Sequence, residues 1–229
     1  MHLKTKHIGL VVGICLSVTV YSQREELVRH IQNYQQSKSP PIQSIFDEFP
    51  TQAEIVMVGD SLTRMGLWSE FFPGCQVANR GIGGDTSTRV LQRAASILDV
   101  QAGQTFIMIG YNDLKEGVDV QKVLRNYDEL TTVLASRGSQ IYILSTLNCS
   151  ATPCESLNKT IDHLNSQLKR LATSKGARYI DLNETMADKK GLRRELTYDG
   201  THLNGSGYRI WVEGIETYLP EHCLTAHFP

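Results

Sequence analysis

The sequence predicts an α/β protein, a three-layer α/β/α sandwich around a central, mainly parallel five-stranded sheet. Short apolar runs of strand length alternate along the chain with longer segments of helical spacing. The runs are apolar nearly throughout, as in strands that are covered on both faces. A chain of 229 residues, 41% of them hydrophobic, also has enough apolar material for one core.

Five apolar runs are predicted to be strands. In chain order they are EIVMVG, CQVANRG, QTFIMIG, SQIYILST and ARYIDL. Between them lie segments such as TRVLQRAASIL and VQKVLRNYDELTTVLASRG, whose apolar residues recur at the spacing of one helix face. We predict that VMVG is the central strand. Because ligands of such sheets bind beyond the carboxyl ends of the strands, the residues that follow each strand are the functional candidates.

The amino terminus differs from the rest of the chain. Two lysines in MHLKTKH precede the uncharged run IGLVVGICLSVTV, and polar residues return at YSQREE, which is the pattern of a secretory signal. We expect a signal peptide at 1–22, a helical lead-in at 23–50 and one globular domain at 51–229, with a secreted or periplasmic product. An uncleaved anchor is the alternative, although the run is shorter than the ~20 residues of a spanning helix. No stable membrane span is expected in the mature chain.

Charge and motifs exclude several classes of partner. The formal net charge of −1 gives no basic face, so no nucleic-acid partner is expected. No phosphate-binding GxxxxGKS sequence is present, and no cofactor is expected. The sequence leaves the oligomeric state open.

Four cysteines lie beyond the predicted signal: Cys75, Cys149, Cys154 and Cys223. An even number in an oxidising compartment favours disulfides, and three pairings are possible. The short, turn-like SATP between two of them favours a local Cys149–Cys154 bridge, which leaves Cys75 to pair with Cys223. Buried free thiols are the alternative. No metal site is expected, because the spacing lacks paired CxxC motifs.

The stretch VMVGDSLTRMG places Ser61 directly after the first predicted strand, where a helix should begin. Serine and aspartate at such a junction are ordinary helix caps. A serine hydroxyl becomes a nucleophile when a histidine, oriented by a carboxylate, takes its proton. The segment YDGTHLNGSGYRIW supplies Asp199 and His202 in a glycine-rich loop before the last helix. Ser61, Asp199 and His202 are therefore the candidate catalytic residues.

Two further loops can supply donors to an oxyanion. NRGIGGDTS follows the second predicted strand, where its glycines allow a backbone NH such as that of Gly84 to approach a ligand. GYND follows the third, where the side chain of Asn112 can donate. Each segment taken alone is also compatible with an ordinary turn.

The chain from about residue 55 to 218 resembles the SGNH hydrolases, also called the GDSL esterase and lipase family. The resemblance rests on four motifs in this order: GDS, GIGGD, GYND and DxxH. The resemblance implies a flavodoxin-like SGNH hydrolase domain with Ser61 as nucleophile and Asp199 and His202 completing the triad. It also implies that Gly84 and Asn112 donate to the oxyanion beside the backbone NH of Ser61. GDSL followed by GIGGDT is most similar to the platelet-activating-factor acetylhydrolase and bacterial acetylesterase branch, which handles small acyl groups.

The resemblance implies a serine esterase that cleaves short-chain, chiefly acetyl, esters through an acyl-enzyme, with a small ester or acylated glycan as substrate. A lysophospholipase or thioesterase for longer acyl chains, an acyltransferase and a non-catalytic envelope binding protein are the alternatives. Tyr111 stands where the family often has threonine, so it either packs or narrows the acyl side. The charged segment ADKKGLRRE is interpreted as a solvated face, with contact to an anionic substrate as the alternative.

Overall fold

Five parallel strands form the main sheet of the protein, whose computed structural model describes residues 41–150 and 154–224. They are β1 (Ile55–Gly59), β2 (Val77–Gly81), β3 (Gln104–Met108), β4 (Gln140–Leu144) and β5 (Arg178–Ile180), arranged in the order β2-β1-β3-β4-β5. Each strand lies within one of the five predicted runs, so the α/β class and the parallel sheet are confirmed. β1 has a neighbour on each side, but the middle position belongs to β3. The prediction that the first strand is the central one was therefore wrong by one position.

The helices flank the sheet and connect its strands. They are α1 (Pro41–Glu48), α2 (Ser61–Met65), α3 (Trp68–Phe71), α4 (Ser87–Gln92), α5 (Ala94–Leu98), α6 (Tyr111–Lys115), α7 (Val120–Ala135), α8 (Glu155–Lys175), α9 (Asn183–Met186) and α10 (Gly205–Glu216). Two short 3-10 helices lie at Arg194–Leu196 and Glu221–Leu224. A small hairpin joins β6 (Ala187–Asp188) to β7 (Gly191–Leu192).

Each face of the sheet packs against its own hydrophobic core. Successive side chains of a strand point to opposite faces and therefore enter different cores. On β1, Ile55 and Met57 pack in a core that includes Trp211 of α10. The residues between and after them, Val56 and Val58, pack in a second core with α7 and α8. All four β1 side chains are buried, which stabilises the fold by roughly 1.5–3 kcal/mol for each large apolar side chain. This explains why the sequence of β1 is apolar at every position.

The segment TRVLQRAASIL forms two helices, α4 and α5, rather than the single helix expected from its spacing. The break lies at Arg93, whose backbone leaves the helical region. Its side chain is buried, with Nε 2.8 Å from Asp85 Oδ2 and Nη2 2.8 Å from the carbonyl oxygen of Arg80. The interruption thus coincides with a residue whose guanidinium faces the interior.

The charged segment ADKKGLRRE contains the β6–β7 hairpin, an element that no sequence pattern predicted. Lys189 and Lys190 lie at its turn and are exposed. Arg193 pairs with Glu195, its Nε 2.8 Å from Oε1. These lysines therefore lie on a solvated surface.

Both predicted disulfides are present, and the pairing prediction is confirmed. Cys149–Cys154 closes the short loop before α8. Cys75–Cys223 joins the residue two positions before β2 to the final 3-10 helix.

The described residues from Ile45 onward belong to one compact unit. The predicted signal peptide and most of the predicted lead-in lie outside the described residues, so those boundaries stay predictions. Among the described residues, no helix combines the length and apolar character needed to cross a bilayer.

Candidate active site

The carboxyl ends of β1, β2 and β3 lie side by side and carry three of the predicted site residues in the loops that follow. Gly59 at the end of β1 is in register with Gly81 of β2 and Met108 of β3. Ser61, Gly84 and Asn112 come two to four residues after these positions. The fold therefore gathers them at one edge of the sheet, where ligands of such folds bind.

Ser61 is the first residue of α2, and the residue before it acts as the helix cap. The Asp60 Oδ1 atom accepts a hydrogen bond of 3.0 Å from the backbone NH of Leu62. The Ser61 hydroxyl lies 2.9 Å from His202 Nε2, across 141 positions of sequence. The capping alternative thus applies to Asp60, and the serine hydroxyl contacts the imidazole.

The other ring nitrogen of this histidine contacts the predicted carboxylate. His202 Nδ1 lies 2.6 Å from Asp199 Oδ2. Asp199 Oδ1 accepts hydrogen bonds from the backbone NH groups of His202 at 2.7 Å and Thr201 at 2.9 Å. Desolvation alone would raise the pKa of Asp199, but these hydrogen bonds, led by that from the His202 ring, outweigh it and lower the pKa to about 2. The carboxylate is therefore charged at every pH at which a histidine base could work.

Local contacts hold the loop that carries Asp199 and His202. The Thr197 hydroxyl donates to the His202 carbonyl oxygen at 2.6 Å and accepts from the Gly200 NH at 2.9 Å. The ring of Tyr198 stacks on the imidazole, with centroids 5.9 Å apart and an interplanar angle of 16°. The bend thus brings a carboxylate and an imidazole three residues apart into direct contact.

The predicted oxyanion donors lie close together on the opposite side of the site. Gly84 has φ of +80°, a left-handed conformation that favours glycine. Its NH makes no hydrogen bond to any described residue. Asn112 Nδ2 donates to the carbonyl oxygen of Asp85 at 2.9 Å and, at 3.4 Å, faces Asp60 Oδ2. The side chain of Asn112 therefore lies beside the residue that follows Gly84 and beside the residue that precedes Ser61.

A buried hydrogen-bond network ties these two loops together. Asp113 is fully buried and accepts from Ser87, from the backbone NH at 2.8 Å and from the hydroxyl at 2.6 Å. Asn126 on α7 donates to the same hydroxyl at 2.8 Å. Burial raises the pKa of Asp113, and the bonds from Ser87 oppose the shift. The loop after β2 is thereby fixed to the loop after β3.

Two other carboxyl groups are buried beneath the site. Asp85 pairs with Arg93, yet burial still raises its pKa. Burial also raises the pKa of Asp60, to about 7, although the hydrogen bond from Leu62 acts in the other direction. Asp60, which precedes Ser61, therefore carries less negative charge near neutral pH than an exposed carboxylate would.

Sequence reasoning named the five candidate residues that the structure brings together, but it did not name the groups that hold them. Thr197 and Ser87 carry no pattern that marks them as supports. Asp85 and Asp113 are part of the GIGGD and GYND blocks, so the motifs themselves were the available signal. Their roles depend on partners that only the folded chain reveals.

One group of described residues could hold a metal ion on geometry alone, namely Cys75, His222 and Cys223. The two cysteines form a disulfide, which removes their thiolates as ligands. The remaining imidazole already has Glu54 Oε2 at 2.7 Å from Nε2. This cluster is explained as a disulfide flanked by an ion pair.

Comparison with protein families bears directly on this site. Residues 57–210 match the model of the GDSL-like Lipase/Acylhydrolase family, a range that contains all the predicted site residues. The chain belongs to this family. The resemblance to this family seen in the sequence is confirmed.

Solved structures share the fold of this GDSL-like protein at low sequence identity. A Streptococcus pneumoniae protein, provisionally described as a platelet activating factor, has a TM-score of 0.72 at 23% identity, covering 86% of this chain and 99% of that one. A GDSL-like lipase from Bacteroides thetaiotaomicron has a TM-score of 0.67 at 22% identity, covering 72% and 86%. An acetyl xylan esterase has a TM-score of 0.63 at 18% identity, covering 72% and 99%.

Curated relatives are longer than this protein. An N-acylneuraminate cytidylyltransferase from Streptococcus agalactiae serotype V is 24% identical over 176 residues, which cover 74% of this chain and 41% of the relative. The chain thus matches less than half the length of the curated relatives.

Proposed function

We propose that this protein is a serine esterase that hydrolyses short-chain, chiefly acetyl, esters through an acyl-enzyme. Ser61 attacks the ester carbonyl while His202 takes the hydroxyl proton, and Asp199 orients and stabilises the imidazolium. His202 then returns the proton to the departing alcohol, which leaves the acyl group on Ser61. A water molecule, deprotonated by His202, attacks the acyl-enzyme, releases the carboxylic acid and restores the serine.

One observation carries this proposal: the contact chain from Ser61 through His202 to Asp199, at 2.9 Å and 2.6 Å. The imidazole uses a different nitrogen for each partner. A proton on Nδ1 satisfies the carboxylate, which leaves Nε2 free to accept from the serine hydroxyl. These are the roles that a serine nucleophile requires of its two partners.

The oxyanion would be stabilised by the backbone NH groups of Ser61 and Gly84 and by the amide of Asn112. The Gly84 NH has no partner among the described residues, so a ligand need not displace one. Asn112 donates to Asp85 at 2.9 Å and only loosely to Asp60 at 3.4 Å. An incoming oxyanion would replace the longer of these two contacts. Donors already in position cost little reorganisation when charge develops.

The preference for a short acyl group is supported by Tyr111. Its hydroxyl lies 3.2 Å from Thr201 Oγ1, the residue next to His202. The phenol ring therefore links the loop of Asn112 to the loop of the histidine, across one side of the site. Such a crossing leaves less room there for a long acyl chain.

A carbohydrate is the proposed alcohol, and two comparisons and one sequence prediction support it. An acetyl xylan esterase shares the fold. The curated relatives are named for N-acylneuraminate, a sugar acid. The predicted signal would bring the enzyme to extracellular or periplasmic glycans, and a mature protein that begins at Gln23 would establish that cleavage.

A second candidate is hydrolysis of longer acyl esters. An apolar groove of about 420 Å³ runs between α3 and α10 and is lined by Met65, Phe71 and Tyr208 among others. Met65 stands one helical turn after Ser61. None of Ser61, Asp199 and His202 lines this groove, which favours the short-chain proposal.

A chain-length series tests the two candidates. Purified protein is assayed with p-nitrophenyl acetate, butyrate, octanoate and palmitate, followed by a panel of acetylated glycans. We expect kcat/KM to be highest for acetate, and Ser61→Ala to abolish turnover. Tyr111→Ala should shift the preference toward butyrate or octanoate. Tyr218→Ala should not, because Tyr218 contacts Gln104 at the start of β3, the end of the strand away from the site. An optimum at octanoate or palmitate in the wild-type protein would instead support the second candidate.

A further inference from the structure

Arg64 lies beside the nucleophile and plays no part in the chemistry described above. It is three residues after Ser61 on α2, and its side chain is exposed. A Cβ atom placed on Gly83 would lie 3.3 Å from Arg64 Nη1 and 3.9 Å from the Cβ atom of Ser61. The tip of the guanidinium thus lies over the glycine loop at the mouth of the site.

The backbone of Arg64 is fixed at both of its polar groups. Its NH donates to the Asp60 carbonyl oxygen at 2.9 Å, and its carbonyl oxygen accepts from Asn79 Nδ2 at 3.1 Å. The side chain therefore starts from a rigid point close to Ser61. Because the backbone is already fixed, less conformational entropy is lost when the Arg64 side chain contacts a substrate.

The charged groups near the mouth differ in whether they form ion pairs. Asp199 contacts His202, and Arg89 Nη1 lies 3.7 Å from Glu116 Oε1. Within the part of the chain that the structure describes, no carboxylate lies within ion-pair distance of Arg64. Its positive charge is therefore available to a ligand.

The loop between this cation and the catalytic serine leaves space for a substrate. Gly83 and Gly84 are both exposed, and a Cβ atom on Gly84 would meet nothing within 4 Å. Arg89 reinforces the far side of the loop, since its Nη1 donates to the Gly84 carbonyl oxygen at 2.7 Å. A group attached to an ester bound at Ser61 can reach Arg64 without crossing another side chain of this loop.

We propose that Arg64 forms a binding subsite for an anionic group, a carboxylate above all, on the alcohol part of the ester. An acetyl group carries no charge, so the anion must belong to the alcohol. Guanidinium binds carboxylates through paired, charge-assisted hydrogen bonds. The inference rests on the proposed ester hydrolysis at Ser61 and narrows its substrates to acylated acids, such as acetylated sugar acids.

The test compares two acetate esters that differ in charge and little else: 3-acetoxybenzoate, an anion, and 3-acetoxybenzamide, which is neutral. We expect the wild-type protein to have a higher kcat/KM for the anion. Arg64→Gln should lower the ratio of the two kcat/KM values about tenfold, the usual scale of a hydrogen bond between charged groups. Arg64→Lys should restore part of the ratio, and 0.5 M NaCl should reduce the wild-type ratio because the site is exposed.

Arg170→Gln is the matched control. This exposed arginine lies near the carboxyl end of α8, which leads into the start of β5, whereas the site lies beyond the ends of the strands. It should leave the ratio unchanged, and thermal melting should show that all variants are folded. Equal wild-type kcat/KM for both esters, or an unchanged ratio in Arg64→Gln, would overturn the proposal. So would an equal loss for both esters, which would mark Arg64 as a structural residue.

Binding without turnover separates this inference from the esterase proposal. Ligand-observed NMR with Ser61→Ala should detect 3-hydroxybenzoate in preference to 3-hydroxybenzamide, and adding Arg64→Gln should remove that preference. If the wild-type protein hydrolysed neither ester while the binding preference held, the esterase proposal would fail and the anion subsite would stand. If Ser61 hydrolysed both esters and no binding preference were detected, the esterase proposal would stand and the anion subsite would fail.

Discussion

The segments that carry Ser61, Gly84 and Asn112 are fixed from the interior of the protein, whereas the loop that carries Asp199 and His202 is fixed mainly by contacts within the loop itself. On the first side, Asp113 and Ser87 are buried and join segments 26 positions apart. On the second side, Thr197 and its partners lie within a few residues of one another, and Asp199 is 40% exposed.

The two sides should therefore respond to different perturbations. A buried polar group that loses its partner costs the full desolvation penalty, so damage to the interior side lowers the stability of the whole domain. A partly exposed loop that loses one internal bond is solvated by water, so the damage stays local. Substitutions on the histidine side should accordingly lower the proposed activity with little effect on folding.

The largest effect on kcat is expected from substitutions of Ser61 and His202, whose side chains join the two sides of the site. Ser61→Ala and His202→Ala should each lower kcat by about 10⁴-fold or more, since nucleophile and base act as one unit. The double variant should be little worse than either single one. Asp199→Ala should retain more activity than His202→Ala, because water can partly replace the orienting carboxylate.

Steady-state kinetics with p-nitrophenyl acetate measure these losses, and a serine-directed phosphonate should label Ser61 alone. Wild-type rates in Ser61→Ala would show that the nucleophile has been misassigned.

A smaller loss of kcat is expected from a substitution on the interior side of the site. Asn112→Ala should lower kcat by about 10²- to 10³-fold, the usual effect of removing one oxyanion donor, with little change in KM. Asn148, whose amide donates to Asp162 at 3.0 Å, offers a matched control, and Asn148→Ala should leave kcat near the wild-type value. A rise in KM with unchanged kcat in Asn112→Ala would point to ground-state binding instead of an oxyanion contact.

A pair of conservative substitutions tests the comparison itself. Ser87→Ala removes the hydroxyl that serves buried Asp113, so the free energy of unfolding should fall by about 1–3 kcal/mol. Thr197→Val removes the hydroxyl that holds the His202 carbonyl, so stability should fall by about 1 kcal/mol or less while kcat falls more than in Ser87→Ala.

Urea unfolding and kcat, measured on the same preparations, separate the two responses. Thr173→Val, at an exposed threonine on α8, controls for loss of a hydroxyl. If Thr197→Val destabilised the fold more than Ser87→Ala and left kcat unchanged, the proposed division between the two sides would be wrong.

A pH dependence of stability is also expected, and it arises from Asp60. Its pKa is raised by burial to about 7, so between about pH 4 and 7 the folded state holds a proton that the unfolded state has lost. This contribution to stability is fully present below pH 4 and is lost as the pH rises through 7, with a slope below about 1.4 kcal/mol per pH unit.

Asp60→Asn removes the titration, so its unfolding free energy should change less than that of the wild type across this range. Urea unfolding at pH 4.5, 5.5, 6.5 and 7.5 measures it. Parallel curves for the two proteins would mean that Asp60 is already ionised at low pH in the folded state.

The sequence allowed the histidine side of the site to be predicted more completely than the interior side. Asp199 and His202 are three residues apart, so their contact can be inferred from a local bend. The partners of Asp113 and Asp85 could not be inferred, because a charged residue is normally expected on the surface. For the same reason, Arg93 was expected within a continuous helix instead of at a buried break. The strands were predictable because a strand that is buried on both faces must be apolar throughout.

The Cys75–Cys223 disulfide has a mechanical consequence for the position of Ser61. It closes a covalent ring that includes β2 to β5 and the loop of His202, while β1, with Ser61 at its end, precedes the ring along the chain. Yet β1 is hydrogen-bonded between β2 and β3, two members of that ring. Tension applied beyond residue 223 passes through the disulfide to Cys75 and bypasses the ring, which includes the loop of His202. Tension applied from the amino-terminal side loads β1 in shear against both neighbours, so that withdrawing this one strand would separate serine from histidine while the ring stayed closed.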